Sequence, residues 1–447
     1  MYKRLKRIIS IGIMLLSLVA LSVPAKAAVD LNAVFSVESD GWEKWPQAPE
    51  VQGDTAVVID ADTGAVLYSK GMDAARFPAS ITKVMTALLV LENCDLNGQV
   101  TMTETGMADA YSGSSNCLPQ LGEVFTVEQC LQMILIKSAN DVATQMAEYI
   151  AGSVQNFADM MNARAAQLGC INTHFSNANG LENDEHYTCA YDMALIMREA
   201  LKYDKFREII AMLDVTIPST NLSGARYYET HVQMIVPGNP CYYESCIGGK
   251  TGYTDISRCT LVTCAEKDGV SLITVIMGHP DWNVICLESS ALYDYAFQNF
   301  YRVDMSNGYE MVSGGVAVLP VSATAEEVEA TAEQTEEGVR LTYLYGGRTV
   351  GTGVMSIENY TQYQQTVSVT GEIEIPQPIE PEDVLVNVSS SDGEDIQKPV
   401  EKQGSGSKFV AYLAIGILGI LILLCVILIF VGSLRRKRSR KRRKRRR

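Results

Sequence analysis

The sequence predicts an α/β fold in which an antiparallel sheet takes strands from both ends of one domain and a helical block lies between them. Three observations predict it. Val57-Val58-Ile59 and Ala65-Val66-Leu67-Tyr68 are short apolar strands around the turn Asp62-Thr63-Gly64, and read as a hairpin. Segments of helical period follow, from near Ser80 to Lys202. The period then returns to strand between Cys259 and Met277 and closes on a helix from Val284 to Phe300.

Taken in order, Val84, Leu88 and Leu91 share one face of a helix that opens near Ser80, just after Pro78. Leu131, Ile134 and Leu135 mark a second helix, and Val142, Met146 and Tyr149 a third. Phe157, Met160, Met161 and Ala165 mark a fourth that stops at Gly169, and a fifth runs from Tyr191 to Lys202. Ile247 to Thr254 reads as an edge strand whose Gly248, Gly249 and Gly252 leave room for a substrate backbone. Cys259–Ala265 and Val270–Met277 flank Lys267-Asp268-Gly269 and read as a buried hairpin. Residues 28–300 therefore form one domain. Residues 301–372 form a small β-rich module with short strands at 316–319, 341–344 and 366–369. The Ala-, Thr- and Glu-rich stretch 323–337 interrupts that module.

The ends of the chain read differently. Residues 1–27 have a basic start, an apolar run from Ile8 to Val23 and an Ala25-Lys26-Ala27 cleavage site, the pattern of a secretory signal. Residues 373–407 are rich in Pro, Glu, Ser and Gly and read as a solvated linker. Residues 408–434 contain a 26-residue uncharged run from Phe409, long enough to cross a bilayer. Residues 435–447 hold twelve Lys/Arg in thirteen positions, a basic cytoplasmic tail by the positive-inside rule. The expected topology is a single-pass membrane protein with its folded part outside the cytoplasm.

Charge follows this division. Residues 28–407 hold 19 Lys/Arg against all 52 Asp/Glu, a net charge near −33, which argues against a nucleic-acid partner. Ten of the eleven cysteines lie in this part, an even number that permits disulfides; buried thiols are the alternative. A Cys259–Cys264 pair is not expected, because five residues along what reads as one strand would set them about 16 Å apart on opposite faces. No CxxC pair occurs and only four His are present, so no metal site and no cofactor is expected.

Three short strings carry the chemistry: Ser80-Ile81-Thr82-Lys83, Ser138-Ala139-Asn140 and Lys250-Thr251-Gly252. Ser80 and Lys83 are three residues apart, so on a helix their side chains share a face. A serine attacking a carbonyl needs a base, and Lys83 serves only when neutral. Neutralising a lysine of ordinary pKa at pH 7 costs about 4.6 kcal/mol. Burial and a second ammonium, which Lys250 supplies, lower that cost. Ser138 is placed to pass a proton between Lys83 and a leaving amine, and Asn140 to hold a substrate amide. Both residue types also cap helices, and that role is compatible with the first. A peptide adding to the edge strand brings its terminal carboxylate to Lys250 and Thr251. Backbone N–H groups of Ser80 and Tyr253 form the candidate oxyanion hole.

All three strings in this order identify a serine acyl-transfer enzyme of the penicillin-recognising kind. Over residues 52–300 the chain resembles the serine-type D-alanyl-D-alanine carboxypeptidases, the low-molecular-mass penicillin-binding proteins. The resemblance extends to Ile59-Asp60-Ala61-Asp62-Thr63-Gly64, Pro78-Ala79 before Ser80, Asp141-Val142-Ala143 after Asn140, and Tyr253-Thr254 after Gly252. Gly113-Ser114-Ser115, Asn179-Gly180-Leu181 and His186-Tyr187 also match family segments. It implies a β-lactamase/transpeptidase-like fold followed by a small β domain. It implies removal of the terminal D-alanine from peptidoglycan stem peptides through an acyl-enzyme on Ser80, with β-lactam antibiotics as covalent inhibitors. The catalytic residues it implies are Ser80, Lys83 and Ser138, and the substrate-binding residues Asn140, Lys250, Thr251, Gly252 and Tyr253. Two features depart from the family: the full membrane span with its basic tail, and the cysteine count. A β-lactamase would need an added base within an ExxLN string, which the sequence lacks. Crosslink endopeptidase action and silent penicillin sensing are the remaining alternatives.

Overall fold

The computed structural model describes residues 29–111, 113–364 and 369–370. The expected signal, linker, membrane span and basic tail lie outside the described residues. Among those that are described, no helix is long and apolar enough to cross a membrane.

The chain opens with β1 (Thr55–Asp60) and β2 (Val66–Lys70), then α1 (Lys83–Asn93), β3 (Gln99–Thr101) and α2 (Glu104–Met107). β4 (Val124–Thr126), α3 (Val127–Gln132), α4 (Asn140–Ala151), α5 (Val154–Gln167), α6 (Ala190–Ala200) and α7 (Asp204–Ile210) complete the helical block. β5 (Asp214–Ile217), β6 (Arg226–Glu229), β7 (Cys246–Thr254), β8 (Arg258–Lys267), β9 (Val270–His279) and α8 (Trp282–Asn299) follow. The central sheet has the order β2-β1-β9-β8-β7, with every described pair antiparallel. β1, from the start of the domain, pairs Thr55–Asp60 with Met277–Leu272 of β9. Every residue of β1 is buried, as a strand covered on both faces requires. The β8–β9 turn is the pair Asp268-Gly269 (φ 51° and 79°), both left-handed, as a two-residue hairpin of the right twist demands.

The sheet divides two apolar cores. One face packs on α1, α3, α4, α5 and α6 around Leu88, Ile134, Met146, Phe157 and Met193. The other packs on α8 and on the second sheet, around Tyr68, Ile276, Leu292, Tyr293 and Tyr343. That second sheet is built from β10 (Phe300–Asp304), β11 (Ser313–Pro320), β12 (Glu329–Thr335), β13 (Gly338–Tyr345), β14 (Arg348–Met355) and β15 (Val369–Thr370), with α9 (Ile357–Tyr363) beside it. Its order is β10-β11-β14-β13-β12-β15.

The second sheet is docked firmly on the first. Arg302 of β10 donates to Asp60 Oδ2 at 2.7 and 3.0 Å and pairs with Asp62 at 2.6 Å. The Trp45 ring lies 5.3 Å from Phe300 and 6.2 Å from Tyr345, and its Nε1–H donates to the Leu67 carbonyl at 2.8 Å.

Two sequence expectations are corrected, and one left open is decided. Residues 323–337 do not interrupt the module: Glu329–Thr335 is β12, paired along its length with β13. Gly248 and Gly249 make room for the protein's own chain, since a Cβ there would strike the Ile210 carbonyl and the backbone of β8. Of the two states left open for the ten cysteines from 94 to 286, the structure has the thiols, nine of them buried.

Candidate active site

Ser80 lies in a single 3-10 turn, Ala79–Thr82, that runs directly into α1. The turn is fixed from two strands. Thr260 of β8 donates its hydroxyl to the Pro78 carbonyl at 2.8 Å. At Gly252 of β7, any Cβ would stand 2.7 Å from the Ser80 nitrogen and 2.5 Å from Thr260 Oγ1, so only glycine lets the strand approach this closely. The Ser80 amide is thereby held against β7, one residue from Tyr253.

Lys83, the first residue of α1, is wholly buried. Its Nζ has three hydrogen-bond partners: Ser80 Oγ at 2.9 Å, Asn140 Oδ1 at 2.6 Å and the Asn179 carbonyl at 2.6 Å. The last two can only accept, so each takes one N–H. A neutral amine has two N–H bonds and one lone pair, and its third neighbour here is the hydroxyl of Ser80. The arrangement suits a neutral lysine with its lone pair directed at Ser80 Oγ. Burial pushes the Lys83 pKa well below its ordinary value, and the nearby Lys250 charge pushes it further; Asp141 and Asp109 oppose the shift.

Asn140 is held in place by its neighbours. Its Nδ2 donates to Ser114 Oγ at 2.6 Å, and its backbone N–H to the Ser115 carbonyl at 2.8 Å. A π-helical turn, Met133–Lys137, precedes it and ends at Ser138 in the left-handed conformation, φ 62° and ψ 33°. π turns of this kind recur at functional sites. Ser138 and Asn140 are both buried. Asp141 caps the neighbouring loop: its carboxylate accepts the N–H groups of Cys117 and Leu118 at 2.9 and 3.1 Å. Burial raises its pKa to about 6 against the pull of those donors.

On β7, the sheet's outer strand, Lys250 is buried and donates to the Thr251 carbonyl at 2.8 Å. Burial lowers its pKa to about 7. Thr251 is nearly buried, and Tyr253 stands half exposed with its ring 6.1 Å from that of Trp282.

The structure therefore joins Ser80, Lys83 and Asn140 by direct hydrogen bonds, sets Gly252 against Ser80, and brings the Lys250 charge to bear on Lys83. Ser138 lies two residues before Asn140, and the partners of Lys83 are the three named above. His186 is structural. Its Nδ1 accepts from the Ser176 N–H at 3.1 Å and its Nε2 meets Thr82 Oγ1 at 2.8 Å, while burial lowers its pKa to about 3. Sequence reasoning missed the Asn179 carbonyl as a partner of Lys83, because a backbone acceptor has no side-chain signature. It also missed Asp109 and Thr144 behind it. Among the described residues no group of three or more His, Cys, Asp or Glu side chains converges to suit a metal ion.

Comparison with known proteins gives the family and the fold. The peptidase S11 family, D-alanyl-D-alanine carboxypeptidase, matches residues 43–281. The D-alanyl-D-alanine carboxypeptidase DacF of Bacillus subtilis is 33% identical over 301 residues, 67% of this chain and 72% of that protein. A crystal structure of a D-alanyl-D-alanine carboxypeptidase from Mycobacterium tuberculosis is 29% identical, with a TM-score of 0.53 over 57% of this chain and 95% of that one. Penicillin-binding protein 6B of Escherichia coli, 24% identical, shares the fold with a TM-score of 0.57 over 70% of this chain and 98% of that one. The chain belongs to the D-alanyl-D-alanine carboxypeptidase family, penicillin-binding serine peptidases that process peptidoglycan.

Proposed function

We propose that Ser80 is the nucleophile that removes the terminal D-alanine from peptidoglycan stem pentapeptides. Neutral Lys83 takes the Ser80 hydroxyl proton as Oγ attacks the penultimate carbonyl. The N–H groups of Ser80 and Tyr253 hold the oxyanion. Ser138 relays the proton from Lys83 to the departing D-alanine amine, which leaves the shortened peptide esterified to Ser80. Water, deprotonated by Lys83, then releases the acyl group and restores the serine. Lys250 and Thr251 receive the substrate's terminal carboxylate, and Asn140 its amide. A β-lactam acylates the same oxygen.

The observation that carries this reading is the buried Lys83 amine, 2.9 Å from Ser80 Oγ with its other two contacts on carbonyl oxygens. The sequence at the two ends supports a secretory signal at 1–27, a span at 408–434 and a cytoplasmic tail at 435–447, which set the catalytic domain outside the bacterial membrane.

D-alanine release from a stem pentapeptide, measured with the intact chain beside Ser80→Ala, tests the assignment. Release and covalent penicillin labelling by the wild type alone are expected. Labelling of Ser80→Ala at the wild-type level removes Ser80 as the nucleophile. Labelling of the wild type without D-alanine release would point instead to crosslink hydrolysis or to penicillin sensing without turnover.

A further inference from the structure

Behind the Ser80–Lys83 pair lies a second layer of polar groups that none of the three motifs contains. Asp109 stands just beyond α2, and its Oδ2 accepts two hydrogen bonds. One comes from the Thr144 hydroxyl of α4 at 2.6 Å, the other from Asn179 Nδ2 at 2.9 Å. Asn179 Nδ2 also donates to Thr144 Oγ1 at 3.0 Å, so the three side chains form a closed ring. The other end of the Asn179 amide, Oδ1, accepts the Leu181 N–H at 2.9 Å. Both ends of that side chain are thus held, and Asn179 and Thr144 are buried. The backbone carbonyl of the same residue takes an N–H of Lys83 at 2.6 Å. Fixing the side chain of Asn179 therefore fixes the direction of the oxygen that orients the Lys83 amine.

We propose that Asp109 is a positioning residue for acyl transfer: it anchors Asn179, whose carbonyl aims the Lys83 lone pair at Ser80. The inference rests on Lys83 as the base. Asp109 touches neither substrate nor nucleophile and acts only through Asn179 and through space.

The charged and titratable groups around Lys83 come from several elements. They are Lys250 of β7, Asp141 of α4, Asp109 beyond α2, His186, and His231 beyond β6. His186 and His231 have pKa values lowered to about 3 and about 4, by burial first, and stay neutral above pH 5. Lys250 disfavours the Lys83 ammonium, while Asp109 and Asp141 favour it. Removing the charge of Asp109 thus leaves Lys83 easier to deprotonate. Since acylation needs the neutral amine, the acidic limb of its pH profile moves to lower pH.

The test is the second-order rate of acylation of the intact chain by a chromogenic penicillin between pH 5 and 9, for the wild type, Asp109→Asn and Asp109→Ala. Asparagine keeps an oxygen that accepts from Asn179 and Thr144 but carries no charge. Its acidic limb is expected about half a pH unit or more below that of the wild type, with a plateau within about threefold. Alanine shifts the limb equally and also lowers the plateau about tenfold, because the Asn179 anchor is gone. A purely structural role predicts no shift for asparagine. An Asp109→Asn limb that coincides with the wild type, or moves to higher pH, overturns the proposal, even where Asp109→Ala does not fold. Failure of the wild type itself to acylate would instead remove Lys83 and Ser80 from their roles, a separate result.

Discussion

Two basic side chains, each at the edge of the central sheet's core, show how their surroundings put the same charge to opposite uses. Lys83 faces the helical side, fully buried, and its three hydrogen-bond partners are all uncharged. Arg302 faces the other side, and is paired with the buried Asp60 and with Asp62. Burial lowers the proton affinity of Lys83; at Arg302 the two carboxylates outweigh it and raise the affinity. A buried amine left among neutral acceptors gives up its proton and becomes a base. A half-buried guanidinium given carboxylates is fixed as a cation and becomes a fastener between two sheets. The same penalty on burying charge yields chemistry in one place and architecture in the other.

Substitution by methionine separates the two roles. Lys83→Met keeps an unbranched side chain of similar length but removes the base. Penicillin acylation is expected to fall about 10³-fold or more, read from the rate of covalent labelling. A loss smaller than about tenfold would mean that another group accepts the Ser80 proton.

Arg302→Met leaves Asp60 buried without its partner. Chemical denaturation of the intact chain should show a loss of about 3 kcal/mol. The acylation rate should stay within about twofold, since Arg302 makes no contact with the Ser80 network. An unchanged stability would show that the ion pair is not what holds the second sheet down, and would leave that task to Trp45 and its aromatic neighbours.

The smallest expected effect concerns His186, a buried base bonded to Thr82 and Ser176. Its folded pKa of about 3 lies below the unfolded value of 6.5. The stability it contributes is therefore present above pH 6.5 and is lost as pH falls toward 3. The advantage of the wild type over His186→Gln should shrink by about 2 kcal/mol between pH 7 and pH 5, measured by denaturant titration at each pH. A gap independent of pH would show that His186 is not held neutral.

The parts legible in the sequence are those whose side chains declare themselves. The hairpin of β1 and β2, the Asp268-Gly269 turn, the outer position of β7 and the joining of strands from both sequence ends follow from apolar period and turn chemistry. So does the meeting of Ser80 with Lys83, because three residues on a helix leave little choice. β12 was hidden because its core-facing positions are Ala330 and Ala332, and alanines among Thr and Glu give no apolar signal. The glycines of β7 were read as space for a substrate, yet the close neighbours are Ile210, β8 and Ser80. Which backbone approaches a glycine is a tertiary fact. The same holds for the Asn179 carbonyl and the ring of Asp109, Thr144 and Asn179, assembled from three distant stretches of chain.

The pairing of β1 with β9 also sets an order of events during synthesis. Residues 55–60 leave the ribosome more than two hundred residues ahead of their partners at 272–277. Contacts of such long sequence separation form late and slow the search for the native state. Until Lys250 and the rest of β7 are made, Lys83 lacks the neighbouring charge that lowers its proton affinity. The surroundings of Ser80 are complete only when the last strands of the sheet come to lie beside a turn made long before.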